Sequence, residues 1–298
     1  MRVFVTGATG FIGSAIVAEP LGAGHQVVGL ARSDTAAEAL AAAGAKVQRG
    51  SLEDLAALAE GAARADGVVH TAFTNVSPTS DYATAARADA AAIGALGDAL
   101  AGTDRPLVVT SGTALASVSG RIATEEDPAN WGPRVAGEEA VHALVERGVN
   151  ASVVRLSSAV HDGKADRRGF VPRLVSIARD KGVSAYVGDG ANRWTGTHRL
   201  DAAVLFRLAL EQAKPGATFH GVADEGDPLR RVAQVIGNGL GLPTTSVSDE
   251  EAADHFGHMV LFVTLDDWTS SEQTKARLGW RPEHLGLIDD IEHGGYLP

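Results

Sequence analysis

Short apolar runs recur along the first half of the chain and alternate with alanine-rich segments that suit helices. The runs predict buried strands at 2–5, 26–30, 45–48, 67–70, 106–110 and 151–156. The intervening segments predict helices from 14 onward and at 35–43, 52–59, 81–101 and 134–147. Strands that alternate with helices form right-handed βαβ units, which cover both faces of a parallel sheet. The pattern therefore predicts a doubly wound α/β fold.

The alternation weakens after about residue 160. Two further strands are predicted, at 184–187 and 218–222. Further helices are predicted at 170–180, 201–211, about 228–240, 249–256 and 271–278. The helix at 201–211 has its apolar positions spaced to cover one face, as a helix packed on a core requires.

Three glycines follow the first strand at three-residue spacing. Gly7, Gly10 and Gly13 separate the strand from residues that are compatible with a helix. A strand, a tight turn and a helix in this order point backbone N–H groups and a positive helix end at a phosphate. One glycine lets the chain turn, one lets a ligand approach the backbone, and one lets the helix pack on the strand. The spacing therefore predicts a dinucleotide site.

Residues 6–13, TGATGFIG, match the whole of a TGxxGxxG signature. In this the chain resembles the extended and atypical branches of the short-chain dehydrogenase/reductase superfamily, which include NAD-dependent epimerases and dehydratases. Residues 271–282, SEQTKARLGWRP, resemble the closing helix and tail of that family. The resemblance implies a Rossmann-type sheet in residues 1–160, completed by later segments. It also implies a smaller C-terminal substrate-binding lobe in residues 161–298, interleaved with the sheet.

Composition narrows the function classes. The 298 residues are 45% apolar and can bury a large core. The net charge of −11 argues against a nucleic-acid partner, and the lack of cysteine excludes disulfides and thiolate ligands. The sequence has no pair of histidines at helical ligand spacing with a third ligand, so we predict no metal site. With no run of eighteen apolar residues and no apparent signal peptide, we expect a cytoplasmic protein that does not span a membrane.

The end of the second strand carries the residues that distinguish NADP from NAD. An acidic residue there binds the 2′-hydroxyl of NAD, whereas an arginine accommodates the 2′-phosphate of NADP. Arg32 and Ser33 occupy this position, and a guanidinium can hold a phosphate with two hydrogen bonds. Asp34 leaves NAD possible, since a shift of one residue would turn it toward the ribose. NADP is the expected cofactor. The alternative for Arg32 is a solvated loop arginine.

The resemblance implies further cofactor contacts at the carboxyl ends of the strands. The loop after the third strand would lie beside the adenine, and the turn after the fourth strand would lie near the ribose and diphosphate. The end of the fifth strand would lie near the nicotinamide ribose. The expected contacts are Thr6, Gly7, Thr9, Gly10, Phe11, Ile12, Gly13, Arg32, Ser33, Ser51, Leu52, Thr71, Ala72, Thr110 and Arg134. His70 opens the fourth-strand turn and is expected to be a hydrogen-bonded core residue.

The catalytic motif of the superfamily is missing. Members that reduce carbonyls usually carry YxxxK, in which the tyrosine moves a proton and the lysine lowers its pKa. None of Tyr82, Tyr186 and Tyr296 has a lysine four residues later. In the helix that should carry the motif, Asn130 stands for the tyrosine and Arg134 for the lysine. A shift of one residue gives Trp131 and Val135 instead. Arg134 could still bind the nicotinamide ribose, or it could be an exposed charge.

Other groups could supply a proton. Ser111 and Thr113 end the fifth strand and could hold a substrate oxygen, although such hydroxyls are also common capping residues. His161 follows the sixth strand, where substrates enter in such folds, and histidine titrates near neutrality. These three are the catalytic candidates.

Four polar residues in the second half of the chain are expected to have no catalytic role. His198 and Asp201 lead into a helix, so packing and capping at its N-terminus are favoured over a role in a substrate pocket. Asp266 and Asp267 are expected to be solvated.

Three functions remain open. The favoured one is an NADP-dependent oxidoreductase that transfers a hydride to or from a small organic carbonyl. The alternatives are a sugar-nucleotide epimerase or dehydratase with bound NAD(P), and a non-catalytic NAD(P)-binding redox sensor. The alanine-rich helices at 81–101 and 134–147 could pack against a second copy in a homodimer.

Overall fold

The computed structural model describes residues 1–74, 81–212 and 214–298. The strands are β1 (Arg2–Thr6), β2 (Gln26–Ala31), β3 (Lys46–Arg49), β4 (Gly67–His70), β5 (Leu107–Gly112), β6 (Ala151–Leu156), β7 (Ala159–His161), β8 (Ser184–Val187), β9 (Arg193–His198), β10 (Thr218–Gly221), β11 (Asp224–Pro228) and β12 (Thr244–Val247). The helices are α1 (Phe11–Gly22), α2 (Asp34–Ala42), α3 (Leu55–Ala63), α4 (Tyr82–Asp98), α5 (Val135–Glu146), α6 (Phe170–Lys181), α7 (Arg199–Gln212), α8 (Leu229–Leu240), α9 (Asp249–Phe256), α10 (Val260–Val263), α11 (Glu272–Leu278) and α12 (Leu287–His293). Short 3₁₀ turns cover Thr113–Ala116 and Gly257–Met259.

The central sheet is parallel and has seven strands in the order β10-β6-β5-β4-β1-β2-β3. Val5 of β1 pairs with Gly29 of β2 on one side and with Val69 of β4 on the other. The predicted Rossmann-type doubly wound fold is therefore confirmed. The chain order reverses between β1 and β4, and in such sheets ligands bind in the crevice at this switch point.

Alternation along β1 places side chains in two separate cores. Val3 and Val5 belong to the core between the sheet and helices α1 and α7, whereas Phe4 belongs to the core under α3, α4 and α5. All three side chains are fully buried. Because each buried side chain of this size contributes roughly 1.5–3 kcal/mol, both layers hold the strand that leads into the glycine turn.

The C-terminal half contributes to both the sheet and a smaller lobe. Strand β10 is the seventh strand of the sheet, and α7 packs on α1. The rest forms a lobe with the small sheets β11-β9-β7 and β12-β8 and its own core around Trp194 and Ile236. The division into a domain of residues 1–160 and an interleaved lobe of residues 161–298 stays a prediction. In the described part of the chain, no helix is long and apolar enough to cross a membrane.

Candidate active site

The glycine turn is packed too tightly for side chains at two of its three glycines. Gly7 has a φ of +68°, a left-handed conformation that favours glycine. A Cβ there would lie 2.7 Å from both the Ala72 amide nitrogen and the Thr71 hydroxyl. A Cβ at Gly13 would overlap the carbonyl oxygen of Gly7. Gly7 and Gly13 therefore let the turn, helix α1 and the loop after β4 approach one another.

Gly10 leaves the start of α1 open toward solvent. It is exposed, and among the described residues a Cβ there would approach only the Gly7 carbonyl oxygen, at 3.2 Å. Gly10 is also the N-cap residue and provides no side-chain hydrogen bond to the first turn. The first amides of a helix have no partner within it and carry a partial positive charge. This open helix end fits the diphosphate of a dinucleotide.

Thr6 points into the protein and organises the turn after β4. Its hydroxyl accepts hydrogen bonds from the amides of Thr71 and Ala72, each at 3.3 Å, and donates to Nδ1 of His70 at 2.8 Å. His70 is fully buried, and its Nε2 donates to Asp89 of α4 at 3.0 Å. The expectation that His70 is a hydrogen-bonded core residue is confirmed. Thr6 thus connects β1 to the β4 turn and, through His70, to helix α4.

The end of β2 presents positive charge. Arg32 is exposed, and the Ser33 hydroxyl accepts from the Ala36 amide as the N-cap of α2. The carboxylate of Asp34 pairs with Arg49, which lies beside Ala31 in the β2–β3 register, with a nitrogen–oxygen distance of 2.6 Å. Both partners of that pair are exposed.

The remaining predicted cofactor residues lie at strand ends. In the loop after β3, the Ser51 hydroxyl accepts from the Glu53 amide, and Leu52 is half-buried against the core. The hydroxyl of Thr110 is buried, with no hydrogen-bond partner in the described residues. Phe11 lies under the Arg199 guanidinium at 5.3 Å, and Ile12 packs on the core. These roles stay predictions.

The two candidate catalytic hydroxyls donate to buried carboxylates. The Ser111 hydroxyl donates to Glu138 of α5 at 2.6 Å, and Glu138 is paired with Arg155 of β6 at 2.7 Å. Burial raises the pKa of Glu138, but hydrogen bonds and charge from Arg155, with help from Ser111, outweigh it and leave the pKa lowered. The Thr113 hydroxyl donates to Asp267 at 2.6 Å. Each hydroxyl therefore gives its single proton to the protein interior.

The expectation that Asp267 is solvated is wrong. Asp267 is fully buried, because four hydroxyl groups donate to it at 2.6–2.7 Å: those of Thr113, Ser158, Thr195 and Thr269. The neighbouring Asp266 lies at the surface and pairs with Arg193. A buried carboxylate is tolerated where hydrogen bonds replace its hydration, and the sequence gives no sign of these distant partners.

His161 lies inside the lobe rather than at an open mouth. It is fully buried, its Nδ1 is 2.7 Å from a carboxylate oxygen of Asp290, and its Nε2 has no partner among the residues described. The ring of His198 lies edge-on to it, with centroids 5.6 Å apart. Burial lowers the pKa of His198, and the charge of Asp162 opposes this effect. The catalytic role of His161 stays a prediction.

His198 caps helix α7, as expected, whereas Asp201 binds the C-terminal segment instead of capping that helix. The Nδ1 atom of His198 accepts from the Leu200 amide. Asp201 accepts hydrogen bonds from the amides of Glu283 and His284, at 3.0 and 3.1 Å, and so fixes the C-terminal segment rather than its own helix end. Over the described ranges, no group of three possible ligands could hold a metal ion.

Arg134 forms a cluster that sequence spacing does not reveal. It immediately precedes α5, and its guanidinium lies over the ring of Phe73 at 4.3 Å. Phe73 in turn packs against Tyr82, with ring centroids 5.7 Å apart. The charge of the Arg134 guanidinium opposes the rise in the pKa of Tyr82 that burial causes. A tyrosine at the start of α4 and a cation just before α5 therefore both pack on Phe73.

Comparison with known proteins identifies the family. A sequence model of the NAD dependent epimerase/dehydratase family matches residues 3–220. The chain belongs to this family. An uncharacterized protein of Schizosaccharomyces pombe is 49% identical over 299 residues, which cover 100% of both chains. The 2-alkyl-3-oxoalkanoate reductase of Stenotrophomonas maltophilia is 30% identical over 250 residues, which cover 77% of this chain and 72% of the reductase.

Solved structures agree on the fold of this epimerase/dehydratase family member. The dTDP-glucose 4,6-dehydratase of Streptomyces venezuelae, solved with NAD bound, has a TM-score of 0.78 at 20% identity and covers 99% of this chain and 96% of its own. Membership of this family makes a nicotinamide dinucleotide the cofactor class. The resemblance to extended short-chain dehydrogenases is confirmed.

Proposed function

We propose that the chain is an NADP-dependent oxidoreductase that transfers a hydride to or from a small organic carbonyl compound. The observation that carries the proposal is the open N-terminus of α1 beside Gly10, at the switch point of a sheet of this family. A reductase is favoured because a relative named for reducing an oxo compound is 30% identical over 77% of this chain.

The preference for NADP rests on charge at the end of β2. Arg32 is exposed there, and the Ser33 hydroxyl can still donate while it caps α2. Asp34, the residue that leaves NAD possible, is paired with Arg49. Two arginines beside one carboxylate give this edge a net positive charge, which suits a 2′-phosphate better than a 2′-hydroxyl.

Separate groups of residues would bind the diphosphate, border the nicotinamide ribose and hold the end of β5. When bound, the nicotinamide supplies or removes the hydride. The first amides of α1 would bind the diphosphate, and Thr71 and Ala72 would border it from the β4 turn. Thr110 and Arg134 would lie toward the nicotinamide ribose, with Ser111 and Thr113 holding the end of β5 in place through Glu138 and Asp267.

Cofactor titration tests the preference. NADPH binding, followed by fluorescence, is expected to be tighter than NADH binding. Removing a charged hydrogen bond to a phosphate costs about 1.5–3 kcal/mol, so Arg32→Ala should weaken NADPH binding roughly 10–100-fold and leave NADH unchanged. Arg64→Ala is the matched control, because Arg64 is also an exposed arginine but lies after α3. Tighter binding of NADH, or no effect of Arg32→Ala, would refute the NADP preference.

Turnover tests the reaction. The pure protein is incubated with NADPH and a panel of aldehydes, ketones, imines and enones, and the loss of NADPH absorbance is followed. We expect turnover with a carbonyl compound that Gly10→Val abolishes, because the added side chain covers the open helix end. Tight NADPH binding without turnover across the panel would instead support a redox sensor. NAD that copurifies and is not consumed would support an epimerase or dehydratase.

We also propose a cytoplasmic protein whose partners are a small-molecule substrate and a second copy of the chain, and not a nucleic acid. The net charge of −11 supports the last point. The alanine-rich helices α4 and α5, which pack side by side on one face of the sheet, would form the homodimer contact. Elution at the mass of a monomer would refute the dimer.

A further inference from the structure

The first turn of α1 is not capped by a side chain of its own sequence. Its N-cap residue, Gly10, provides no side-chain hydrogen bond, and the turn itself carries no acidic residue. A capping side chain would bind the free amides of this turn. A diphosphate needs the same amides, so a turn that binds it cannot also be capped from that side. The turn therefore needs a contact that holds it and leaves its amides free.

Arg199, the first residue of α7, makes such a contact. Its Nη1 donates to the carbonyl oxygen of Phe11 at 3.2 Å and to the hydroxyl oxygen of Ser14 at 3.3 Å. The guanidinium also lies over the Phe11 ring, 5.3 Å from the ring centroid, which is within the range of a cation–π contact. These three contacts hold the turn from its carbonyl side, and none of them uses a backbone amide of α1.

Strand register brings Arg199 and its partner Asp162 together. Strands β7 and β9 are parallel neighbours, and His161 lies opposite His198 in their register. Asp162 and Arg199 are the next residues along the two chains, so they leave the small sheet side by side. The Asp162 carboxylate accepts from Nε of Arg199 at 2.6 Å and from the Lys164 amide at 3.1 Å. Arg199 is therefore fixed through its Nε while its Nη1 binds α1.

The pair of Asp162 and Arg199 is charged and shielded from most of the solvent. The side chain of Asp162 is 8% exposed and that of Arg199 is 20% exposed. Burial raises the pKa of Asp162, but the hydrogen bond and charge of Arg199 outweigh this effect and leave the pKa lowered. Charge-assisted hydrogen bonds are roughly twice as strong as neutral ones. The pair is therefore a firm support for the contact with α1.

A second arginine joins the same two helices about two turns farther along. Arg207 donates from Nε to Glu19 of α1 at 2.9 Å and from Nη1 to Glu211 of α7 at 3.1 Å. Arg207 follows Arg199 by as many residues as Glu19 follows Phe11, as expected for helices that run in parallel. Its side chain is 22% exposed, so its burial matches that of Arg199. Arg207 binds side chains in these contacts, whereas Arg199 binds a backbone carbonyl of the first turn.

We propose that Arg199 positions the first turn of α1 for dinucleotide binding, and that Asp162 fixes Arg199 for this task. The inference rests on the proposed dinucleotide site beside Gly10. Arg199 is a positioning residue, because it acts through the turn and not on the reacting atoms. The diphosphate is common to NADPH and NADH, so Arg199 should serve both cofactors equally. Arg32, in contrast, is expected to affect NADPH alone.

Arg199→Met tests the role, because it removes the hydrogen bonds and keeps an apolar side chain beside Phe11. Ordering the backbone of one residue is worth about 5–30-fold in affinity, so the Kd values of NADPH and NADH in a fluorescence titration should both rise by a factor in that range. Turnover should show a higher KM for the dinucleotide and an unchanged kcat at saturation. Amide hydrogen exchange in the peptide of residues 10–18 should become faster, because the first turn opens more often.

Arg207→Met is the matched control. It removes the second arginine from the same helix pair, so it should lower the melting temperature by a similar amount. Both Kd values and the exchange of residues 10–18 should stay as in the wild type. Arg199→Lys keeps a charge for Asp162 and a donor for the Phe11 carbonyl, so its Kd values should lie between those of the wild type and Arg199→Met. The lysine variant provides the test if Arg199→Met does not fold.

The outcomes separate this inference from the proposed function. Unchanged Kd values in both Arg199 variants, or an equal rise in Arg207→Met, would overturn the positioning role and leave the dinucleotide site standing. A rise for NADPH alone would also overturn it, since that result would indicate a contact with the 2′-phosphate instead. Failure of the wild type to bind either dinucleotide would overturn the proposed function, and the role of Arg199 with it.

Discussion

Adding one methyl group at Gly13 should damage the fold and the cofactor site together. A Cβ at this position would overlap the carbonyl oxygen of Gly7 and lie 2.8 Å from its carbonyl carbon, against 3.4–4 Å for an ordinary contact. It would also lie 3.2 Å from the Ala8 Cα. All three neighbours are backbone atoms, so no side-chain rotation can relieve the overlap, and α1 must move away from the turn.

The size of the effect follows from two opposing terms. Overpacking of this kind costs about 1–3 kcal/mol, and backbone neighbours favour the upper part of that range. Replacing glycine by alanine inside a helix returns roughly 0.5–1 kcal/mol. Gly22→Ala supplies the control for the second term, because Gly22 belongs to the same helix and a Cβ there meets no atom of the described residues within 4 Å. The difference between the two variants therefore isolates the overpacking term.

Two assays measure the consequences of Gly13→Ala. Urea unfolding should show the variant about 1–3 kcal/mol less stable than Gly22→Ala, which should equal or exceed the wild type. NADPH fluorescence titration should show a Kd at least about tenfold higher than that of the wild type, since the displaced helix end no longer points at the diphosphate. If Gly13→Ala matches Gly22→Ala in both measurements, the packing account of the glycine turn is wrong.

Three further predictions concern buried charge. Arg155→Met leaves Glu138 buried without its partner and should cost about 3–5 kcal/mol in urea unfolding, whereas Arg147→Met, which breaks the exposed pair with Asp98, should cost about 0–1 kcal/mol. Equal losses would contradict this reasoning. Because the folded-state pKa of Glu138 is lowered, its contribution is present above the unfolded value of about 4.3 and is lost as pH falls toward the folded pKa. Stability measured from neutral to acid pH should fall through that window, and less steeply in Arg155→Met. Asp267→Asn replaces an acceptor of four hydroxyl protons by an amide and should cost about 1–3 kcal/mol by thermal unfolding. Asp266→Asn, one residue away at the surface, is its control, and a loss there as large as for Asp267 would count against a special role for the buried carboxylate.

The sheet could be predicted from the sequence because most of its strands are runs of apolar residues. Strands β1, β4 and β6 are covered on both faces and are continuous or nearly continuous runs of apolar residues. Strand β9 departs from that pattern. Its Thr195 and Thr197 are fully buried because one donates to Asp267 and the other to the carbonyl of Gly221. A polar residue whose burial depends on a distant partner gives no local signal, and β9 was therefore not predicted.

The candidate site likewise has local features, which the sequence predicts, and long-range contacts, which it does not. The positions of Gly7, Gly10 and Gly13 follow from backbone geometry, which is local, so spacing alone identified them. The positions of Ser111 and Thr113 were also predicted from the end of a strand. Their partners Glu138 and Asp267 were not, because each bond joins residues far apart in the chain. The pattern YxxxK is likewise a local test, and it cannot detect a phenol and a cation from separate segments that pack on the same ring, that of Phe73.

Helices α4 and α5 are fixed to the sheet by buried polar contacts rather than by apolar packing alone. Glu138 of α5 pairs with Arg155 of β6 and accepts from Ser111 of β5. Asp89 of α4 accepts from His70 at the end of β4. Each of these contacts ends on a strand of the sheet, so the positions of the two helices are set by the sheet itself rather than by the loops that precede them. Because a buried carboxylate that loses its partner is costly, these contacts also disfavour any sliding of either helix along the sheet.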